Sequence, residues 1–92
     1  MNLPIAVLSA ASRELQGIRS YYSEFGEVTA DRVLQDITDA FLVISTFPTS
    51  GRVIKGGLRR RVSVRHRFVK TYRVLPDRVE IINVYRYQNR TL

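Results

Sequence analysis

The stretch GGLRRRVSVRHRFVKTYRVLPDRVEIINVYRY, residues 56–87, decides the fold of this 92-residue chain. Leu58, Arg60, Val62 and Val64 alternate with Arg59, Arg61, Ser63 and Arg65, the period-2 pattern of a strand whose two faces differ. Phe68 to Val74 reads as a second strand, closed by a turn at Pro76-Asp77-Arg78. Val79 to about Tyr87 reads as a third, apolar on both faces at Ile81-Ile82 as an inner strand is. Upstream, Ser50-Gly51 and Gly56-Gly57 bracket a loop.

Before that loop the periodicity is helical. Ala30, Val33, Leu34, Ile37, Phe41 and Ile44 follow 3-and-4 spacing from about Val28 to Thr46, with Arg32, Asp36 and Asp39 on the outer face. Phe47-Pro48 ends this helix, because proline drives its predecessor out of helical geometry. Leu15, Ile18 and Tyr22 form the stripe of an earlier helix, capped by Ser9 or Ser12 and stopped by Gly26. The short break at Gly26-Glu27 makes the two an antiparallel hairpin. Leu3, Ile5 and Val7 alternate as a short strand, placed by Pro4 at a sheet edge. The predicted order is β-α-α-β-β-β. This is an α+β fold, a helical hairpin packed on a small antiparallel-rich sheet, in one domain over residues 1–92.

An apolar content of 45% is that of a folded chain, and the length allows one modest core. There is no cysteine, which excludes disulfides, thiolate metal sites and cysteine nucleophiles. The opening MNLPIAVLSAA has no basic leader, and Pro4 breaks its apolar run, so it is not read as a secretory signal. Asn89-Arg90-Thr91 matches a glycosylation acceptor but means nothing without secretion. No segment approaches the roughly 18 apolar residues of a membrane span. The expectation is a soluble, cytoplasmic protein with no membrane partner.

Charge divides the chain in two. Residues 1–51 hold three arginines against six acids, a balance of −3, while residues 52–92 hold twelve basic residues against Asp77 and Glu80, a balance of +10. Such asymmetry points to a face built for an anionic partner, either nucleic acid or an acidic protein segment.

Several motifs carry a resemblance. Ser9-Ala10-Ala11 with Glu14-Leu15, Ile18 and Tyr21-Tyr22, then Phe47-Pro48 with Gly51-Arg52, then Gly57-Leu58-Arg59, lie in order along the chain. Arg67-Phe68-Val69 with Tyr72-Arg73-Val74, and Val79-Glu80-Ile81-Ile82 with Val84, follow them. In that order over about 85 residues they resemble the ParE/RelE toxin superfamily, and its ParE branch more closely. The chain departs from the pattern where Arg86 replaces the usual histidine after the last strand. The resemblance implies the toxin of a type II toxin–antitoxin, plasmid-stabilisation system. It also implies a cognate antitoxin protein that neutralises it, and DNA gyrase as the target. A RelE-like relative would instead be a metal-independent endoribonuclease acting on ribosome-bound messenger RNA, and a third reading is a non-toxic basic nucleic-acid-binding module.

The candidate residues follow from these readings. Arg59, Arg60, Arg61, Arg65, Arg67, Lys70, Arg86 and Arg90 are candidates for an anion- or target-binding surface; the bland alternative is a solvated sheet face with some arginines paired to Asp36 or Glu14. The RelE-like reading would use His66, Arg67, Arg86, Tyr87 and Arg90, with the cations stabilising phosphorane charge and tyrosine or histidine moving the proton. Tyr85 and Tyr87 read equally well as core aromatics. Asp36 and Asp39 are expected to be solvated on the outer face of their helix. The resemblance places antitoxin binding on the hairpin, with Leu15, Ile18, Tyr22, Val33, Ile37 and Phe41 as candidates. With one histidine, no H-E-x-x-H and no cysteine, no metal site and no cofactor are expected. GRVIKGG, residues 51–57, lacks the G-K-[ST] ending of a phosphate loop.

Overall fold

Alternating strands and 3.6-period helices each have one apolar face to hide, and here they hide it against one another. In the computed structural model, which describes residues 2–63 and 65–87, the elements are β1 (Ile5–Val7), α1 (Ser9–Ser23), α2 (Glu27–Thr46), β2 (Arg52–Val53), β3 (Arg59–Val62), β4 (Phe68–Val74) and β5 (Val79–Arg86). Two helices pack on a five-stranded mixed sheet of order β1-β5-β4-β3-β2. β1 runs parallel to β5 and the other pairings are antiparallel. The core joins Ala11, Val33, Ile37, Phe41 and Ile44 of the helices to Phe68, Tyr72, Val79, Ile81 and Val84 of the sheet.

The α+β architecture agrees with the sequence reading, with four local differences. A further strand, β2, pairs Arg52 with Arg60 and Val53 with Arg59 inside the segment read as loop. Neither Ser9 nor Ser12 caps α1. Leu8 stands at the N-cap in extended geometry with its N–H on Ile81 O at 3.0 Å, so the helix starts directly from the strand and no side chain is placed to cap it. α1 ends at Ser23, before Gly26; that glycine lies in the connection at φ 113, a conformation costly to any residue with a Cβ. Finally, β5 slips against β4: Tyr72 faces Ile81 but Thr71 faces Asn83, leaving Ile82 without an opposite number. The Glu14 carboxylate of α1 accepts the N–H of Val84 at 2.9 Å and the side-chain amide of Asn83 at 3.3 Å beside this irregularity.

Pro4 precedes β1, where it needs no ladder donor, and its carbonyl accepts the N–H of Val79. Leu3 is joined to the end of α2 by two bonds, its N–H to Ser45 O and its carbonyl from Ser45 Oγ. Among the described residues no helix is long and apolar enough to cross a membrane.

Candidate functional site

The basic hairpin β3–β4 separates its cations by strand alternation. Arg59 lies opposite Tyr72 and Arg61 opposite Lys70, so these four side chains share the face on which the helices pack; Arg60, opposite Thr71, belongs to the other face.

On the helix side the cations are engaged by the fold. Arg59 donates to the carbonyls of Thr49 (3.1 Å) and Gly51 (2.8 Å), and Arg61 donates to Ser50 Oγ (3.1 Å). The Tyr72 hydroxyl donates to Pro48 O at 2.8 Å and accepts the Gly51 N–H at 2.9 Å. The loop after α2 is therefore held to β3 and β4 by side chains from both strands. Residue 51 must also be glycine for want of room, because a Cβ there would collide with the Tyr72 hydroxyl.

Lys70 is fully buried, and its ammonium donates to Ser63 Oγ at 2.6 Å. Burial, and then the neighbouring Arg61 charge, push it down from 10.5 to about 8, with Asp36 opposing the shift. Lys70 is thus a correction to the expected anion-binding surface. It shares the inward face with Phe68 and Tyr72 and presents no charge to a partner.

His66 and Asp36 are also brought together. His66 Nδ1 lies 2.7 Å from Asp36 Oδ2, linking the β3–β4 connection to α2 across 30 positions of sequence. Asp36 is therefore not a solvated carboxylate of an outer helix face. The pair lines a polar cleft of ≈ 500 Å³ with Arg32, Asp39 and Arg65.

The opposite face of the sheet is arranged differently. The Arg67 and Arg60 guanidinium carbons lie 4.9 and 5.7 Å from the centre of the Tyr87 ring. The Tyr87 N–H donates to Arg67 O at 2.7 Å, and Arg67 has φ 57, in the left-handed region. Tyr85, opposite Val69, is half exposed. Neither tyrosine is a core aromatic. The RelE-like set is consequently not gathered at one place: His66 faces α2, Arg67 and Tyr87 lie across the sheet from it, and Arg86 lies opposite Phe68 beside α1. Arg90 lies outside the described residues.

The hairpin residues also divide. Val33, Ile37 and Phe41 are enclosed by the protein's own core, so they are corrected from partner-binding candidates to structural residues. Ile18 and Tyr22 are partly exposed and line an apolar groove of ≈ 380 Å³ with Gly17, Tyr21, Phe68 and Arg86, and Leu15 packs against the core. Sequence reasoning missed Tyr21 and Phe25 here, both more than half exposed and packed ring to ring 5.5 Å apart. Their signal was present: two large aromatics one turn apart at the hairpin corner, off the Leu15–Ile18–Tyr22 stripe.

Comparison with known proteins bears on this architecture. Residues 5–89 match the family model described as the ParE toxin of type II toxin-antitoxin system, parDE. A solved structure titled "Chromosomal ParDE TA system from P. aeruginosa" superposes with a TM-score of 0.82 over 94% of this chain and 97% of that chain, at 21% identity, a likeness of fold. No curated protein sequence matches the chain.

Proposed function

This chain belongs to the ParE toxin family of type II toxin–antitoxin systems, and we propose that it acts by binding DNA gyrase and is neutralised by a cognate antitoxin protein. The observation that carries a binding role over nuclease chemistry is the engagement of His66. Its Nδ1 is 2.7 Å from Asp36 on the helix side, whereas Arg67 and Tyr87 meet on the opposite face. Metal-free cleavage of a phosphodiester needs the proton-transferring group and the charge-stabilising cations around one phosphate. That grouping is not supported by the positions of these side chains.

The antitoxin is proposed to cover the groove at Ile18 and Tyr22, extended by the exposed Tyr21 and Phe25. An amphipathic helix that lays its apolar face there, with a carboxylate opposite Arg86, suits the lining.

The test is a supercoiling assay with purified gyrase, run beside cell-free translation. The toxin is expected to block supercoiling, and stoichiometric antitoxin to restore it, while translation proceeds. Unchanged supercoiling together with arrested translation and cut message would overturn the reading. Within the same assay Tyr21→Glu is expected to leave inhibition intact and to weaken rescue by the antitoxin.

A further inference from the structure

The sheet face turned away from the helices holds an arrangement that the toxin reading does not use. Arg60 reaches from β3 and Arg67 from the start of β4 to the same ring, that of Tyr87 after β5. Two guanidinium groups on one ring repel each other, and among the described residues no carboxylate pairs with either. Arg73 and Arg78, by contrast, are paired with Glu80, and Arg78 also with Asp77. Arg67 further keeps a left-handed backbone, a conformation that costs a non-glycine residue and that collects at functional sites. Two residues before Tyr87, Tyr85 is 45% exposed.

We propose that this face binds single-stranded nucleic acid, with Arg60 and Arg67, held at the Tyr87 ring, contacting phosphates and the exposed Tyr85 stacking against a base. Cations interleaved with aromatic rings on a sheet are what an unpaired strand requires: charge along the backbone and flat surfaces for bases freed from a duplex. A duplex keeps its bases stacked on one another and offers the Tyr85 ring nothing. An acidic peptide would be served by the arginines alone and has no use for Tyr85. The proposal is independent of the gyrase reading, because it concerns a different face from the antitoxin groove and a different ligand.

The experiment is fluorescence anisotropy of a labelled 15-nucleotide deoxythymidylate strand with the purified protein at several salt concentrations. A duplex of equal length and unlabelled polyglutamate serve as competitors. The expected dissociation constant at low salt is in the micromolar range, about 10⁻⁶ to 10⁻⁵ M. The expected slope of log K on log salt is about −1.4 for two phosphates. Tyr85→Ala is expected to weaken binding about tenfold, and Arg67→Gln to weaken it and flatten the slope by about 0.7. Lys55→Gln removes the same charge from an exposed position in the turn between β2 and β3, not one of the two cations at the Tyr87 ring, and is expected to change affinity less than about twofold. Circular dichroism of each variant checks folding; Tyr85→Phe, which keeps the ring, is expected to bind as the wild type does. The proposal is overturned if the tyrosine and Arg67 variants lose no more affinity than Lys55→Gln, or if the duplex competes as well as the single strand. Polyglutamate competing as well as the oligonucleotide would also overturn it, in favour of an acidic protein ligand.

Discussion

Arg59 and Arg60 are neighbours in the chain and carry the same guanidinium, yet the two are held on opposite faces in different ways. Arg59, on the helix side, donates to two carbonyls of the loop after α2. Arg60, on the far side, lies over the Tyr87 ring and has no ion pair among the described residues. The same division separates Lys70, buried under the helices, from Arg67, exposed at the start of β4. A run of like charges is therefore not one surface. Strand alternation sorts it into a structural half, which should be read out in stability, and a half that should be read out in binding.

The strongest way to break this contrast is at the loop that the inner half holds. Gly51→Ala would place a Cβ 2.8 and 2.9 Å from Cζ and Cε1 of Tyr72, a ring with no exposed surface and no room to shift. Overpacking and loss of the hydroxyl's two bonds together should cost about 3–4 kcal/mol in urea unfolding. Next comes Lys70→Met. At pH 7 the wild-type lysine is charged in both folded and unfolded states, and burial makes that charge unfavourable only in the folded one. As pH rises from about 8 to 10.5 the folded state gives up its proton while the unfolded chain keeps it, so wild-type stability gains. The methionine variant is thus expected to be more stable by about 2 kcal/mol at pH 7, after allowing for the lost Ser63 bond. Its advantage should disappear by pH 10.5, a trend that urea titrations at a series of pH values would follow. The smallest effect, and the sharpest comparison, is the pair Arg59→Gln and Arg60→Gln. The first should lose about 1–2 kcal/mol with its carbonyl bonds, the second no more than about 0.5 kcal/mol. Equal losses would show that the two faces are not energetically distinct.

Much of this was legible in the sequence wherever periodicity was sustained. β4 coincides with the predicted Phe68–Val74, α2 begins one residue before the expected Val28, and β5 ends at Arg86 beside the expected Tyr87. Two-residue β2 carries no period to detect, and it exists only because β3 offers it a partner. The burial of Lys70 was written in the alternation Phe68-Lys70-Tyr72, but the flanking arginines drew it to the surface in the reading. The His66–Asp36 contact depends on how α2 crosses the hairpin, and nothing in either local segment encodes that crossing. Val33, Ile37 and Phe41 gave a correct apolar stripe; what a stripe does not say is whether the protein itself or a partner covers it.

Among the described residues β5 is the last strand in sequence order, yet it lies inside the sheet between β1 and β4 and supplies Val79, Ile81 and Val84 to the core. β1, some seventy residues earlier, pairs with no other strand among the described residues. During synthesis the helical hairpin emerges first, with its apolar stripe bare, and closes only when residues 79–86 are free to enter the sheet. The sheet of this toxin-family chain is thereby completed only after residue 86 has been made. Until then the nascent hairpin lacks the inner strand on which its apolar stripe packs.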